Sequence, residues 1–144
     1  MTVFLREEVS KIWSKAEALD RAFALEGEVY RDVARRKTMR VELGQRIYFV
    51  KLHDGVGWFE VLKNWLQLKR PVLGAENEYE ACRDLAEVGI RAPLAAAFAT
   101  DDGGFASRRS FILCDELKDH TSLEDVVAPW FDNKPAPLTR LRML

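Results

Sequence analysis

The sequence predicts an α+β fold, an antiparallel sheet of about five strands with a glutamate-bearing helix packed against it. Three observations predict it. Short apolar-rich runs at residues 29–31, 38–43, 46–52, 90–99 and 109–114 read as strands, the last two joined by the turn at Asp101 to Gly104. Only Gly44 and Gln45 separate the second run from the third, and so short a link joins antiparallel neighbours, because parallel strands need a long crossover. Residues 75–88 carry apolar positions at helical spacing and stop at Gly89. With 144 residues, 48% hydrophobic and 31% charged, the chain has the composition of one soluble domain. A domain of this size buries roughly 70% of its unfolded surface, enough to hold together without disulfides or metals.

In chain order, Val9, Ile12, Trp13, Ala18, Leu19, Ala22 and Phe23 predict two short helices within 7–25, closed by Gly27. The three strands at 29–52 follow. His53 to Gly57 form a loop, residues 58–69 an amphipathic helix closed by Arg70 and Pro71, and Gly74 precedes the helix at 75–88. Pro93 stands near the start of the strand at 90–99, and Asp101, Asp102, Gly103 and Gly104 turn the chain into the strand at 109–114. Ser122 caps a short helix at 123–127, Pro129, Pro135 and Pro137 punctuate a linker, and 138–144 reads as the first turns of a further helix. The expected organisation is an N-terminal helical extension (1–26), a sheet domain (27–117) and a hinge with linker (118–144).

Net charge is −1, from 22 basic and 23 acidic residues, which argues against a dedicated nucleic-acid binder. The charges are nevertheless segregated. Arg31, Arg35, Arg36, Lys37, Arg40 and Arg46 crowd one stretch, while Asp115, Glu116, Asp119, Glu124 and Asp125 crowd another. Cys82 and Cys114 stand apart, with neither CxxC spacing nor a histidine to complete a zinc site, so a reducing compartment and no metal site are expected. Arg6, Glu7 and Glu8 interrupt the apolar start, so no signal peptide is read there and a cytoplasmic location is expected. The apolar run at 92–99 falls far short of the ~20 residues that cross a bilayer.

The informative charges are Lys51 and Glu78. On a helical projection Tyr79, Ala81, Cys82, Leu85, Ala86 and Val88 lie within about 100° of Glu78, which places the carboxylate on the apolar face. An unpaired carboxylate there would cost several kcal/mol, so a cation should meet it. Lys51 shares a strand face with Ile47 and Phe49 and is the best candidate. At ~4 Å such a pair gains on the order of 4 kcal/mol at an effective dielectric of 20, before desolvation. A snorkelling lysine and a glutamate at the helix margin fit the two residues equally well.

The order of elements separates these readings. A hairpin ending in Tyr48, Phe49, Val50 and Lys51, then a helix carrying Glu78, then two strands leading into Cys114, Asp115, Glu116 and Leu117, resembles the N-lobe of protein kinase-like enzymes. More specifically, the stretches at 25–32, 35–40, 48–51, 63–64, 71–75 with Glu78, and 110–113 resemble the N-terminal half of the lipopolysaccharide core heptose kinases, over nearly the whole chain. The resemblance implies a kinase using ATP and Mg²⁺ to phosphorylate the inner-core heptose of lipopolysaccharide. It implies Lys51 as the phosphate-binding lysine, Glu78 as its partner, Cys114 at the gatekeeper position, and Asp115 and Leu117 offering hinge backbone groups to adenine. Arg35, Arg36 and Lys37 lie where protein kinases keep a Gly-rich loop, and are read either as phosphate or acceptor contacts or as a solvated hairpin tip. Phe49 stands where kinases keep a small residue, two before the lysine.

The catalytic-loop and metal-binding aspartates of the kinase pattern are not found in the sequence, so no catalytic residue is assigned, residues 118–144 are expected to open a second lobe, and the 144 residues alone are expected to be inactive. Asp102 to Phe105 reads as a turn and not as a displaced metal motif. The helix at 58–69, with Trp58, Phe59, Val61, Leu62, Trp65, Leu66 and Leu68, suits either core packing or peripheral contact with the inner face of the inner membrane. Two rival readings are a non-catalytic lobe that binds a partner, with acyl carrier protein the candidate companion the resemblance implies, and, last, a nucleic-acid module on the basic strip.

Overall fold

In the computed structural model, residues 1–33, 35–55, 74–104 and 107–118 are described. Their elements run β1 (Thr2–Leu5), α1 (Glu7–Ser10), α2 (Ala18–Phe23), β2 (Glu28–Val33), β3 (Arg36–Leu43), β4 (Arg46–Asp54), α3 (Glu76–Glu87), β5 (Ala95–Thr100) and β6 (Arg109–Asp115). All six strands form one antiparallel sheet in the order β1-β5-β6-β4-β3-β2. The helix expected at 58–69, the helices at 123–127 and 138–144, and the linker all lie outside the described residues.

Gly44 (φ 57°) and Gln45 (φ 67°) both take left-handed backbone, the conformation whose twist matches a tight β3–β4 hairpin. At Gly27 a side chain would run into the Arg40 carbonyl and the Val41 side chain, so β2 can enter alongside β3 only with glycine there.

Alternation along β4 divides the sheet into two faces. Tyr48, Val50 and Leu52 are buried on one face with Met39, Val41, Phe111 and Leu113, beneath Val9, Trp13, Leu19 and Ala22 of the N-terminal segment. The other face holds Phe98, Ile112 and Cys114 beneath Ala75 and Cys82, with Tyr79 stacked on Phe98 at 4.7 Å. Trp13 meets Phe111 edge-on at 6.0 Å on the first face.

Two differences from the sequence expectation stand out. Thr2–Leu5 is a sixth strand, paired with β5, whose Val3 and Leu5 pack on the first core and Phe4 on the second. The strand expected from residue 90 begins only at Ala95, since Pro93 has no N–H to give a ladder. The turn at Asp101 is present, with Asp101 Oδ1 accepting from the Gly103 and Arg109 N–H groups.

Helix α3 has no side-chain cap of its own, since its N-cap is Ala75. Ser110 Oγ of β6 instead accepts from the N–H of that N-cap residue, Ala75, at 3.0 Å in a buried setting. The helix that carries Glu78 is thus registered to the sheet by a hydrogen bond spanning 35 positions. Ser110→Ala should lower stability by about 1 kcal/mol, the usual net value of a buried hydrogen bond, read as a shifted midpoint in urea denaturation at unchanged slope.

Candidate functional site

Lys51 lies on β4, opposite Thr38 of β3 and Ile112 of β6, inside the sheet and on the face that α3 crosses. Helix α3 brings Glu78 over it, and Lys51 Nζ donates to Glu78 Oε1. The pair predicted from the sequence is formed, but not in a buried setting. The side chains remain 43% and 34% exposed, because a cavity opens on each side of the pair. Of the α3 residues only Cys82 is buried, and Leu85, with Val88 just past the helix, is exposed. A pair this wet contributes about 0–1 kcal/mol, so its value lies in where it holds an ammonium group.

On one side of the pair is a cavity of about 400 Å³ lined mainly by Phe49, Cys82, Leu85, Pro93, Cys114 and Leu117, with Lys51, Glu78 and Asp115 also on its wall. Tyr30 meets Phe49 edge-on at 5.1 Å. Burial pushes the Cys114 thiol up to about 12 and raises that of Cys82, so both stay protonated at neutral pH and act as apolar lining. Five sequence-predicted residues, Lys51, Glu78, Cys114, Asp115 and Leu117, therefore share one cavity.

On the other side Arg31, Arg36, Lys37, Thr38 and His53 line a second cavity of about 320 Å³, which also includes Lys51 and Glu78. Four cations face one carboxylate, which makes it attractive to an anion. Arg36 joins this cavity. Arg35 stands at the β2–β3 corner, its guanidinium donating to the Asp54 carbonyl at 3.4 Å, and is not among the lining residues of either cavity.

His53 is the site residue that sequence reasoning missed. Its signal was the two-residue period of β4, which puts it on the face of Lys51, yet a lone histidine before a loop carries no pattern by itself. Burial first, and then the charge of Arg36, lower its pKa below 6.5. Between that lowered value and 6.5 the unfolded chain binds more protons than the folded one, so stability falls as pH drops below 6.5. His53→Gln should flatten this part of the curve, which melting temperatures from pH 7.5 to 5 would register.

An antiparallel sheet whose inner-strand lysine is met by a glutamate from a helix crossing one face is the arrangement of a protein kinase-like N-terminal lobe. The family model for the lipopolysaccharide kinase (Kdo/WaaP) family matches residues 20–144, and the chain belongs to that family. It is 38% identical over 137 residues to the lipopolysaccharide core heptose(I) kinase WaaP of Pseudomonas aeruginosa, covering 95% of this chain and 51% of that protein. It is 36% identical over 133 residues to the Escherichia coli WaaP, covering 92% and 50%. The solved structure of WaaP in complex with acyl carrier protein superposes with a TM-score of 0.69 at 31% identity, over 95% of this chain and 49% of that one. The chain spans about half the length of the curated relatives it matches.

Proposed function

We propose that this chain is the nucleotide-binding part of an ATP-dependent kinase that phosphorylates the inner-core heptose of lipopolysaccharide. The observation that carries the reading is the position of the Lys51–Glu78 pair, shared by an apolar cavity and a basic one. A nucleotide has the same division, a flat apolar base joined to a polyanion. In this reading Phe49, Cys82, Cys114 and Leu117 enclose the base, and Lys51, oriented by Glu78, faces the phosphates with Arg36 and Lys37 beside it. The ammonium would neutralise phosphate charge without having to move, which is where preorganised electrostatics gains most.

Mg²⁺ is proposed with the nucleotide, where it would offset phosphate charge. Among the described residues no group of three or more His, Cys, Asp or Glu side chains could hold a metal ion. We propose that the catalytic aspartate and the metal ligands come from the second lobe that the kinase pattern requires. The proposed location is cytoplasmic, at the inner face of the inner membrane, checked by fractionation. Among the described residues no helix is long and apolar enough to cross a membrane.

A second reading, a lobe whose main task is to bind acyl carrier protein, is favoured by the solved relative, a WaaP in complex with acyl carrier protein. The two readings separate in one experiment. In the complete protein Lys51→Met should reduce phosphate transfer from radiolabelled ATP to heptose-bearing core oligosaccharide by at least about a hundredfold, with the melting temperature preserved. Near-normal transfer would remove Lys51 from the site, and an inactive wild-type protein that retains acyl carrier protein would leave only the second reading.

A further inference from the structure

The segregated charge of the sequence is not absorbed by the nucleotide reading, and the structure shows what part of it does. The last paired residue of β6 is Asp115, opposite Tyr48, and the chain then leaves the sheet through Glu116 and Leu117. This exit forms part of the apolar cavity wall, yet beyond Asp115 no ladder fixes its peptide planes. Two arginines from distant elements hold it. Arg6, just after β1, donates Nη1 and Nη2 to the two Asp115 carboxylate oxygens at 2.7 and 2.6 Å. Arg40 of β3 donates Nε and Nη2 to the two Glu116 oxygens at 2.6 and 3.3 Å.

Both contacts are fork to fork, the geometry in which a guanidinium fixes a carboxylate in orientation as well as in distance. Each arginine is itself anchored. The Arg6 N–H donates to the Ala96 carbonyl at 2.9 Å, and Glu8 holds its Nε while also accepting from Arg46. Arg40 lies in β3, paired with Phe49 of β4, itself a wall of the cavity. The Asp115 N–H is taken by the Leu94 carbonyl at 2.9 Å, which sets the plane of the peptide that enters Asp115. With side chains a fifth to a third exposed, these pairs add little to stability.

We infer that Arg6 and Arg40 are positioning residues, clamping the 115–117 backbone in the orientation that reads the edge of the purine base. The inference rests on the nucleotide reading above. A base in the apolar cavity is distinguished by its edge alone, since any purine fills the same slot. The edge can be read only by peptide groups whose direction is fixed before binding, because a backbone free to rotate would present a donor or an acceptor to either purine. The N-terminal segment ahead of the kinase-like sheet thus takes part in base selection from the opposite face of the strand.

The test uses the complete protein, with Arg6→Met and Arg40→Met made singly and together. Each single variant should raise KM for ATP about tenfold, leave kcat within about twofold, and lower the ratio of kcat/KM for ATP over GTP by the same factor. Arg6→Lys, which keeps the charge but loses the fork, should recover only part of the ratio, and Arg40→Glu combined with Glu116→Arg should recover most of it. A structural role alone would lower ATP and GTP use equally. An unchanged ratio in both variants, in a wild-type enzyme that uses ATP, overturns the clamp and leaves the nucleotide reading standing. Wild-type protein that neither binds nor uses ATP overturns both. If Arg6→Met does not fold, Arg40→Met decides, and failure of both to fold shows that the pairs serve the fold and refutes the inference.

Discussion

The contact between Lys51 and Glu78 gives the sheet and its crossing helix a common purpose. Its stability contribution is small, because both groups keep access to water, and its geometric consequence is large. To bring the two charges together, α3 must cross the sheet at Ile112 and Cys114, and that crossing leaves an apolar cavity on one side and a basic one on the other. Ser110 and the Tyr79–Phe98 stack hold the helix in this place. The pair is thus supported by better-buried contacts around it.

The two faces of the sheet are used differently. The face beneath α1 and α2 is closed by large side chains such as Tyr48, Phe111 and Met39, with Trp13 over them. The face beneath α3 buries Phe98, Ile112 and Cys114, and near the end of β6 it borders the apolar cavity. Rigidity comes from the first face and access from the second, with β4 and β6 contributing alternate residues to each. Cys82 and Cys114 belong to the open face, protonated and apolar, and they fill a place where an ionised thiol would conflict with Glu78.

Much of the fold was legible because its signals are local. The Gly44–Gln45 hairpin, the helix that stops before Gly89 and the turn at Asp101 each depend on a few adjacent residues. The strand at Thr2–Leu5 was not legible, since four residues at a chain end carry too few alternations to mark a period and its partner lies near residue 100. Glu78 was correctly paired with Lys51 but placed too deep. A helical projection tells which side of a helix is apolar, and does not tell whether that side meets a packed sheet or the mouth of a cavity.

The sequence by itself determined the order of the described elements after β1, the lysine and glutamate that meet, and the family, because periodicity, turn chemistry and ordered motifs are written along the chain. Only the tertiary structure decided that Arg36 and His53 share a cavity with Lys51 while Arg35 does not, that Ser110 ties the start of α3 to β6, and that Arg6 and Arg40 grip consecutive carboxylates at the sheet's exit. These are contacts between residues up to 109 positions apart. Their partners are selected by strand register and helix crossing, which arise only when the two cores close together.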